Sequence, residues 1–328
     1  MKNLPKQRSD GDRLARYFQK KYGEIVYSGT LAIESALYSA GIKKGDYVVL
    51  PDSVCYRILL SVVRVQAKPI IITPQNGIIL TVDDIKPILA KYKIKAVILV
   101  HNMGIPVDVK SFRELLPGDT VIIEDAAQAW RLKYSGFHIG GHSNYVITSF
   151  GMMKPLGLGI GGALFSNSSS FKKYLDFNNK ASRENSEAIL PYTFPQTTEI
   201  DIKKLVTKGD LSFRSSVRIA NLLRKELDSL KIRIWNLQKG DVANWYKFPI
   251  FIDSKKTFDS ALFLADKHHV LYELPHKSEL SKIPMALKYN SLVIDNGTRT
   301  GRRVDLFTAR NTLKNIKSWV KELKETLE

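Results

Sequence analysis

The sequence predicts an α/β protein in which helices cover a mostly parallel sheet, followed by a smaller C-terminal α+β domain. Three observations support this fold class. Apolar residues make up 44% of the chain, as in soluble proteins with a substantial core. From residue 25 to about 165, short apolar segments alternate with segments of helical periodicity, which favours a parallel sheet. After Phe165 this alternation stops, and a different pattern begins.

The predicted strands of the first part are short and apolar on both faces, and several are rich in β-branched residues, as in a sheet covered on both sides. They are Tyr47–Leu50, Pro69–Ile72, Ala96–Val100, Val121–Glu124, Tyr145–Ser149 and Gly162–Phe165. Helical periodicity marks the segments between them, which are Leu31–Ala40, Tyr56–Gln66, Val82–Tyr92 and Val109–Leu116.

The second part predicts a connector and a smaller domain. Residues 166–210 are polar and are expected to be irregular, whereas Leu211–Leu230 has the pattern of one long amphipathic helix. We therefore expect a large domain over residues 1–230 and a small domain over residues 231–328. In the small domain, the predicted elements are strands at Lys231–Trp235 and Trp245–Ile252, a helix at Thr257–His268 and a basic amphipathic helix from about Thr308.

Composition narrows the function classes. The longest apolar runs fall short of the ~20 residues that span a bilayer, and the N-terminal residues lack the apolar stretch of a secretory signal, so a cytoplasmic protein without membrane contact is expected. One cysteine, Cys55, rules out an intrachain disulfide and a cysteine-based metal cluster. The net charge of +18 is compatible with a nucleic acid partner, an anionic small substrate or a lysine-rich proteome.

Three separated segments carry residues suited to chemistry. Ser28-Gly29-Thr30 directly precedes a helix, which predicts an anion site, although Thr30 could be an ordinary helix N-cap. Glu124 and Asp125 end an apolar strand, where they could bind a ligand or serve a structural role. Lys154 follows a buried strand and is surrounded by Met, Phe, Pro and Gly, so poor hydration favours a neutral, nucleophilic amine; a surface lysine is the alternative.

Together these segments resemble the DegT/DnrJ-type sugar aminotransferases, which use pyridoxal 5′-phosphate (PLP) and have the aspartate-aminotransferase-like fold. The resemblance extends from about Gly23 to Asn167. The motifs that carry it, in the family's order, are Ser28–Thr30, Gly45–Pro51, Ala67–Pro69, Val100–Gly104, Glu124–Ala129 and Ser149–Gly157.

The resemblance implies a role for each matched residue. Lys154 matches the lysine that holds the cofactor covalently and moves a proton during the reaction, so with Asp125 it is the expected catalytic pair. Asp125 matches the carboxylate that keeps the pyridine nitrogen protonated. Gln128 matches the residue near the phenolic oxygen. The phosphate site is expected to include Gly29, Thr30 and Ser149, with Ser28 beside them.

Two further positions were assigned from the resemblance. An ungapped count from Pro51 places Cys55 where most relatives have an aromatic residue against the cofactor ring, and Tyr56 is the alternative. His101 follows the strand Ala96–Val100, and the family also has a histidine there. A structural histidine near the cofactor is the favoured role, and a catalytic role is the alternative.

The second half departs from the family. A central motif that reaches the partner subunit's phosphate site in relatives is missing from residues 191–205, where Thr197–Glu199 could be a remnant. The histidine-containing substrate loop of the family could correspond to Leu274–Lys277. These departures leave the acceptor and the amino donor open, whereas the assignment of the cofactor does not depend on them.

The sequence therefore predicts a PLP-dependent aminotransferase and a homodimer. The expected donor is glutamate or glutamine, and the expected acceptor is a nucleotide-linked keto-sugar or a related cyclic ketone in surface-polysaccharide or natural-product biosynthesis. One alternative is a PLP enzyme that catalyses elimination, racemisation or decarboxylation. The other is a PLP-fold regulator that binds nucleic acid; the charge of +18 motivates it, and the Lys154, Asp125 and Gln128 set argues against it.

Overall fold

The structure is a computed structural model, which describes residues 9–173, 175, 200–230, 232–274, 292–295, 302–308 and 310–327. Its strands are β1 Tyr22–Val26, β2 Tyr47–Pro51, β3 Lys68–Thr73, β4 Ile94–Val100, β5 Val121–Asp125, β6 Lys133–Tyr134, β7 Phe137–His138, β8 Tyr145–Ser149, β9 Gly162–Ser166, β10 Arg233–Ile234, β11 Phe248–Ile252, β12 Tyr272–Glu273, β13 Leu292–Asp295 and β14 Arg302–Leu306. Its α-helices are α1 Asp10–Ala15, α2 Gly29–Ser39, α3 Tyr56–Arg64, α4 Val82–Leu89, α5 Val109–Leu115, α6 Ile202–Asp228, α7 Lys255–Lys267 and α8 Leu313–Leu327.

Eight strands form the large sheet, in the order β1-β9-β8-β5-β4-β2-β3-β13. The strands from β8 to β13 in this order pair in parallel, whereas β9 runs antiparallel to both β8 and β1. The predicted fold class is therefore confirmed, and each of the six predicted strands is present. The N-terminal strand β1 had no counterpart in the sequence prediction.

Burial on both faces explains why the central strands are apolar throughout. In β4, Val97 and Leu99 pack into the cluster on one face, whereas Ala96 and Ile98 pack into the cluster on the other. Consecutive side chains of a strand point to opposite faces, so a strand covered on both sides needs an apolar residue at every position. The parallel strands β2, β4, β5 and β8 end at one edge of the sheet, where Cys55, His101, Asp125 and Lys154 lie at or just after the strand ends.

A second, four-stranded antiparallel sheet has the order β10-β11-β14-β12, and α7 and α8 pack with its strands in the same core cluster.

The predicted strand Trp245–Ile252 is wrong at its start, because β11 begins at Phe248. Trp245 has φ 49°, in the left-handed region, which is incompatible with a strand. Strand β13 joins β3 at the edge of the large sheet, and the boundary at residue 230 stays a prediction.

Two helix boundaries also differ from the prediction. The connector helix α6 begins at Ile202, within the segment expected to be irregular, because Asp201 caps it and Ile202 and Leu205 are buried. The last helix begins at Leu313 rather than near Thr308. The Asn311 side chain exchanges hydrogen bonds with the backbone of Leu271 and donates to the Phe307 carbonyl, so it is engaged outside the helix. Within the described ranges, no helix is long and apolar enough to cross a membrane.

Candidate active site

Lys154 lies in a tightly folded loop between β8 and β9. The Lys154 N–H donates to the Gly151 carbonyl at 2.9 Å, and the Lys154 carbonyl accepts from the Gly157 N–H at 2.9 Å. A Cβ at Gly157 would approach the Gly151 oxygen to 2.8 Å, so only glycine allows the chain to close here. The loop thus fixes the backbone of Lys154 beside the end of the sheet.

The electrostatic environment of Lys154 suits a nucleophile. Burial lowers the pKa of the Lys154 ammonium, while the charges of Asp125 and, to a smaller extent, Cys55 oppose this shift. Burial likewise raises the pKa of Asp125. The Ala127 N–H, which donates to the Asp125 carboxylate at 2.8 Å, and the charge of Lys154 oppose this shift. The structure therefore brings together the two residues predicted as the catalytic pair, from the ends of β5 and β8, in a poorly hydrated space.

The predicted phosphate site forms where α2 begins. Ser28 caps the helix, since its Oγ accepts from the Leu31 N–H at 3.2 Å. A Cβ built on Gly29 would lie 3.1 Å from the Cβ of Ser149, so a larger residue would fill the space between them. Thr30 follows in the first turn, whose N–H groups lack helical partners. This glycine-lined cup at the positive end of a helix fits a phosphate group.

Gln128 is fixed by a neighbouring loop. Its Oε1 accepts from the Met103 N–H at 2.8 Å, and its backbone carbonyl accepts from the Asn244 side chain at 3.1 Å. Because the amide oxygen is engaged, the amide NH2 is the group left to donate to a ligand. This agrees with the predicted role near an acceptor oxygen of the cofactor.

The two alternatives for the ring-stacking position differ in their surroundings. Cys55 precedes α3, is exposed and lies close enough to Lys154 to affect its pKa. Tyr56 is 41% exposed, and its ring centroid is 5.7 Å from the Arg57 guanidinium carbon. These surroundings favour Cys55, whose contact with a ring stays a prediction.

A second polar cluster lies behind the site. The His101 Nδ1 accepts from the Val107 N–H at 3.1 Å, so the proton is on Nε2, which donates to Glu124 at 2.8 Å. Glu124 also accepts from the Gly140 N–H at 3.0 Å. The buried Lys20 ammonium donates to the Ser143 carbonyl at 2.5 Å, and its charge acts on Glu124. Both nitrogens of His101 are thus engaged by the protein, which supports the favoured structural role.

Sequence reasoning missed three residues that approach Lys154 from the second sheet. The Lys154 Nζ is 5.5 Å from the centroid of the Tyr246 ring. Lys247 and Glu273 form an ion pair at 2.7 Å, and both charges act on Lys154. Tyr246 and Lys247 fell in a predicted strand whose local pattern gives no sign of the site, since their proximity arises from the fold.

The connector helix also holds the site. A Cβ at Gly209 would lie 2.7 Å from Leu156 and 2.9 Å from the Trp130 indole, so a glycine is needed at this approach. The next residue, Asp210, accepts from the Trp130 Nε1–H at 2.8 Å and from two nitrogens of Arg131 at 2.9 and 3.0 Å. Helix α6 therefore packs against both the loop that carries Lys154 and the loop that carries Gln128.

Parts of the predicted site lie outside the described residues. They are the possible motif remnant Thr197–Glu199 and, of the possible substrate loop, residues 275–277.

Comparisons with known proteins identify relatives of this chain. The GDP-perosamine synthase of Escherichia coli O157:H7 is 27% identical over 228 residues, which cover 67% of this chain and 62% of that protein. The GDP-perosamine synthase of Vibrio cholerae is 26% identical over 250 residues, which cover 74% of this chain and 68% of that protein. The matched segment therefore spans less than two thirds of the first relative.

Solved structures share the fold over almost the whole chain. A DegT DnrJ EryC1 StrS aminotransferase from Brucella abortus superposes with a TM-score of 0.79 at 18% identity, covering 97% of this chain and 89% of that one. The NtdA structure from Bacillus subtilis, which has bound PMP, superposes with a TM-score of 0.76 at 20% identity. The match covers 97% of this chain and 76% of that chain.

The family model of the DegT/DnrJ/EryC1/StrS aminotransferases matches residues 5–190, which is more than half of the chain. Aminotransferases of this family use PLP, and the glycine-lined cup, Asp125 and Lys154 offer groups suited to its phosphate, ring nitrogen and aldehyde. The predicted family, fold and cofactor are confirmed. The chain belongs to the DegT/DnrJ/EryC1/StrS aminotransferase family.

Proposed function

We propose that this protein is a PLP-dependent aminotransferase that moves an amino group from glutamate or glutamine to a keto acceptor. The acceptor is a nucleotide-linked sugar or a related cyclic ketone, in polysaccharide or natural-product biosynthesis. The observation that carries the proposal is the proximity of Lys154 to Asp125, together with the glycine-lined cup at the N-terminus of α2. The names of the relatives, which include two GDP-perosamine synthases, support a sugar acceptor.

Each residue of the site has a proposed task. When bound, PLP supplies an electron-withdrawing ring that stabilises the negative charge left when the donor loses its Cα proton. The Lys154 amine would hold the cofactor, and once released its Nζ would take the proton from the donor Cα and deliver it to the C4′ carbon of the cofactor. Asp125 keeps a proton on the ring nitrogen. Gln128 donates its amide N–H to the phenolic oxygen, and the N-terminus of α2 with Ser149 binds the phosphate.

We also propose that two copies of the chain form a homodimer in the cytoplasm. The loop around Lys154 exposes several apolar side chains, namely Met152, Met153, Leu158 and Ile160. Met152 alone is 76% exposed. Apolar groups beside a reactive lysine are suited to burial against a second subunit that closes the site. Light scattering of the purified protein tests this, and a mass of one chain would contradict it.

The reaction type is tested by a half-reaction without an acceptor. Purified protein loaded with PLP should convert it stoichiometrically to the pyridoxamine form when glutamate or glutamine is added. Elimination, racemisation or decarboxylation, the alternative PLP reactions, would convert the amino acid to product in repeated turnovers without accumulating the pyridoxamine form. Failure of the wild-type protein to take up PLP would contradict the proposed function.

A further inference from the structure

Lys247 and Glu273 form a charged pair beside the reactive lysine. The Lys247 Nζ lies 2.7 Å from a Glu273 carboxylate oxygen and 4.8 Å from the centroid of the Phe307 ring. The Lys247 side chain is 13% exposed, whereas that of Glu273 is 44% exposed. Tyr246, the residue before Lys247, contacts Lys154 through its ring at 5.5 Å. A nearly buried ammonium is therefore present on the small-sheet side of the site.

The backbone fixes Lys247 relative to the cofactor residues. The Lys247 N–H donates to the Met103 carbonyl at 3.2 Å, and the Met103 N–H donates to Gln128 at 2.8 Å. Glu273 lies in strand β12, where its backbone is in register with Asp305 of the neighbouring strand β14. Lys247 is thus held by the loop that orients Gln128, whereas its partner Glu273 belongs to the edge of the small sheet.

We propose that the Lys247 ammonium binds the α-carboxylate of the amino donor, with Glu273 as its counter-ion when no donor is bound. The inference rests on the proposed function. The donor's amino group would have to react at the position that the Lys154 amine occupies, and a single carbon separates the donor nitrogen from the α-carboxylate. A cation near Lys154 is therefore placed for this group. The phosphates of a nucleotide-linked sugar are separated from the keto carbon by more bonds.

Exposure explains how the donor can displace Glu273. One carboxylate replaces another on the ammonium, so Lys247 stays paired throughout. The Glu273 carboxylate, being nearly half exposed, can be hydrated when it leaves, which keeps the cost of the exchange low. Lys247 is largely buried, so its pairing with the donor is screened less by solvent than a surface ion pair.

The inference is tested with two amines that differ in the α-carboxylate, L-glutamate and 4-aminobutanoate. In Lys247→Met, the glutamate concentration for half-maximal conversion of the cofactor should rise ~10- to 100-fold, the range expected for loss of one charge-assisted hydrogen bond. The concentration of 4-aminobutanoate for half-maximal conversion should change much less, because this amine has no α-carboxylate to lose its partner. Glu273→Gln should lower the glutamate value, because the counter-ion no longer competes.

A binding measurement separates this inference from activity. α-Methyl-L-glutamate has no Cα proton, so a spectral titration of the PLP-loaded protein with it reports binding alone, and Lys247→Met should weaken that binding. Lys324→Met is the matched control, because Lys324 also pairs with a glutamate, Glu226, at 2.6 Å. In Lys324→Met, the half-maximal concentrations of both amines and the affinity for α-methyl-L-glutamate should equal those of wild type.

Two results would overturn the inference while the proposed function stands. One is unchanged binding of α-methyl-L-glutamate in folded, PLP-loaded Lys247→Met. The other is an equal loss for glutamate and 4-aminobutanoate, which would indicate a general structural effect. Absence of any conversion by wild type would overturn the proposed function instead, and the titration would still decide the role of Lys247.

Discussion

Two neighbouring acids at the end of β5 have opposite environments. Glu124 accepts hydrogen bonds from His101 at 2.8 Å and from the Gly140 N–H at 3.0 Å. Burial opposes ionisation of Glu124, but the hydrogen bond from His101, a hydrogen bond from Ser143 and the charge of Lys20 lower its pKa. Asp125, on the other face, accepts from the Ala127 N–H at 2.8 Å, and burial raises its pKa.

The difference shows how one strand end serves both stability and chemistry. A buried carboxylate surrounded by donors is stabilised in its ionised form, and it anchors the elements that supply those donors. A buried carboxylate with fewer donors retains the capacity to pair with a ligand that brings a positive charge. The opposite environments support a structural role for Glu124 and the proposed cofactor role for Asp125.

The largest expected effect is on catalysis at Asp125. Asp125→Asn keeps the shape of the side chain but removes the charge proposed to hold a proton on the ring nitrogen. We expect the donor half-reaction to slow by ~100- to 1,000-fold, as for other lost electrostatic contacts in active sites. Stopped-flow absorbance of the PLP-loaded variant measures this. A rate within a few-fold of wild type would place the catalytic charge elsewhere.

The next effect is on stability at Glu124. Glu124→Gln places an amide donor where the carboxylate accepts from both His101 and the Gly140 N–H, so the free energy of unfolding should fall by about 3 kcal/mol. The half-reaction per folded molecule should stay near the wild-type rate. Urea unfolding and stopped-flow measurements on the same sample test both statements. A loss of rate without a loss of stability would reverse the roles assigned to the two acids.

The pH dependence of stability should differ in sign between the two acids in cofactor-free protein. The pKa of Glu124 is lowered in the folded state, so its contribution is present above the ordinary value of 4.5 and is lost as the pH falls through its folded pKa. The advantage of wild type over Glu124→Gln should therefore shrink below pH 4.5.

The pKa of Asp125 is raised, so ionisation of its buried carboxyl opposes folding as the pH rises above the ordinary value of 3.8. Asp125→Asn should be more stable than wild type near pH 7, and this gain should vanish below pH 3.8. Unfolding curves from pH 3 to 7 measure both differences. Differences of the same sign would contradict the contrast.

The smallest expected effect is at Lys20, on the Glu124 side. Burial lowers the pKa of the Lys20 ammonium from 10.5 to about 8, and Glu124 opposes this shift. Between pH 8 and 10.5 the unfolded chain binds more protons here, so wild-type stability gains a rising contribution with pH. Lys20→Met should lack that contribution, which unfolding curves at pH 8 and 10 can detect. An unchanged pH slope would show that Lys20 is hydrated.

Much of the large sheet could be predicted from the sequence. Strands such as β4 are buried on both faces and therefore have apolar residues at consecutive positions, which is a local pattern. Asp125 and Lys154 were located by motifs that share one edge of that sheet. Glu124 and Asp125 could not be separated by pattern, since both follow the same strand and only their partners differ.

Tyr246 and Lys247 escaped prediction for another reason. They reach Lys154 through packing of the small sheet against the large one, and such long-range proximity leaves no local periodicity. The left-handed Trp245 that precedes them also interrupts the expected strand. The part of the site that we propose to bind the donor is thus the part that depends most on tertiary structure.

Lys154 is the residue that we propose holds the cofactor covalently. The most direct measurement is borohydride reduction of the PLP-loaded protein, followed by digestion and mass spectrometry of the lysine-containing peptides. We predict that the reduced cofactor is attached to Lys154 and that Lys154→Ala carries none. Attachment to another lysine, such as Lys247, or no attachment in wild type would contradict the account.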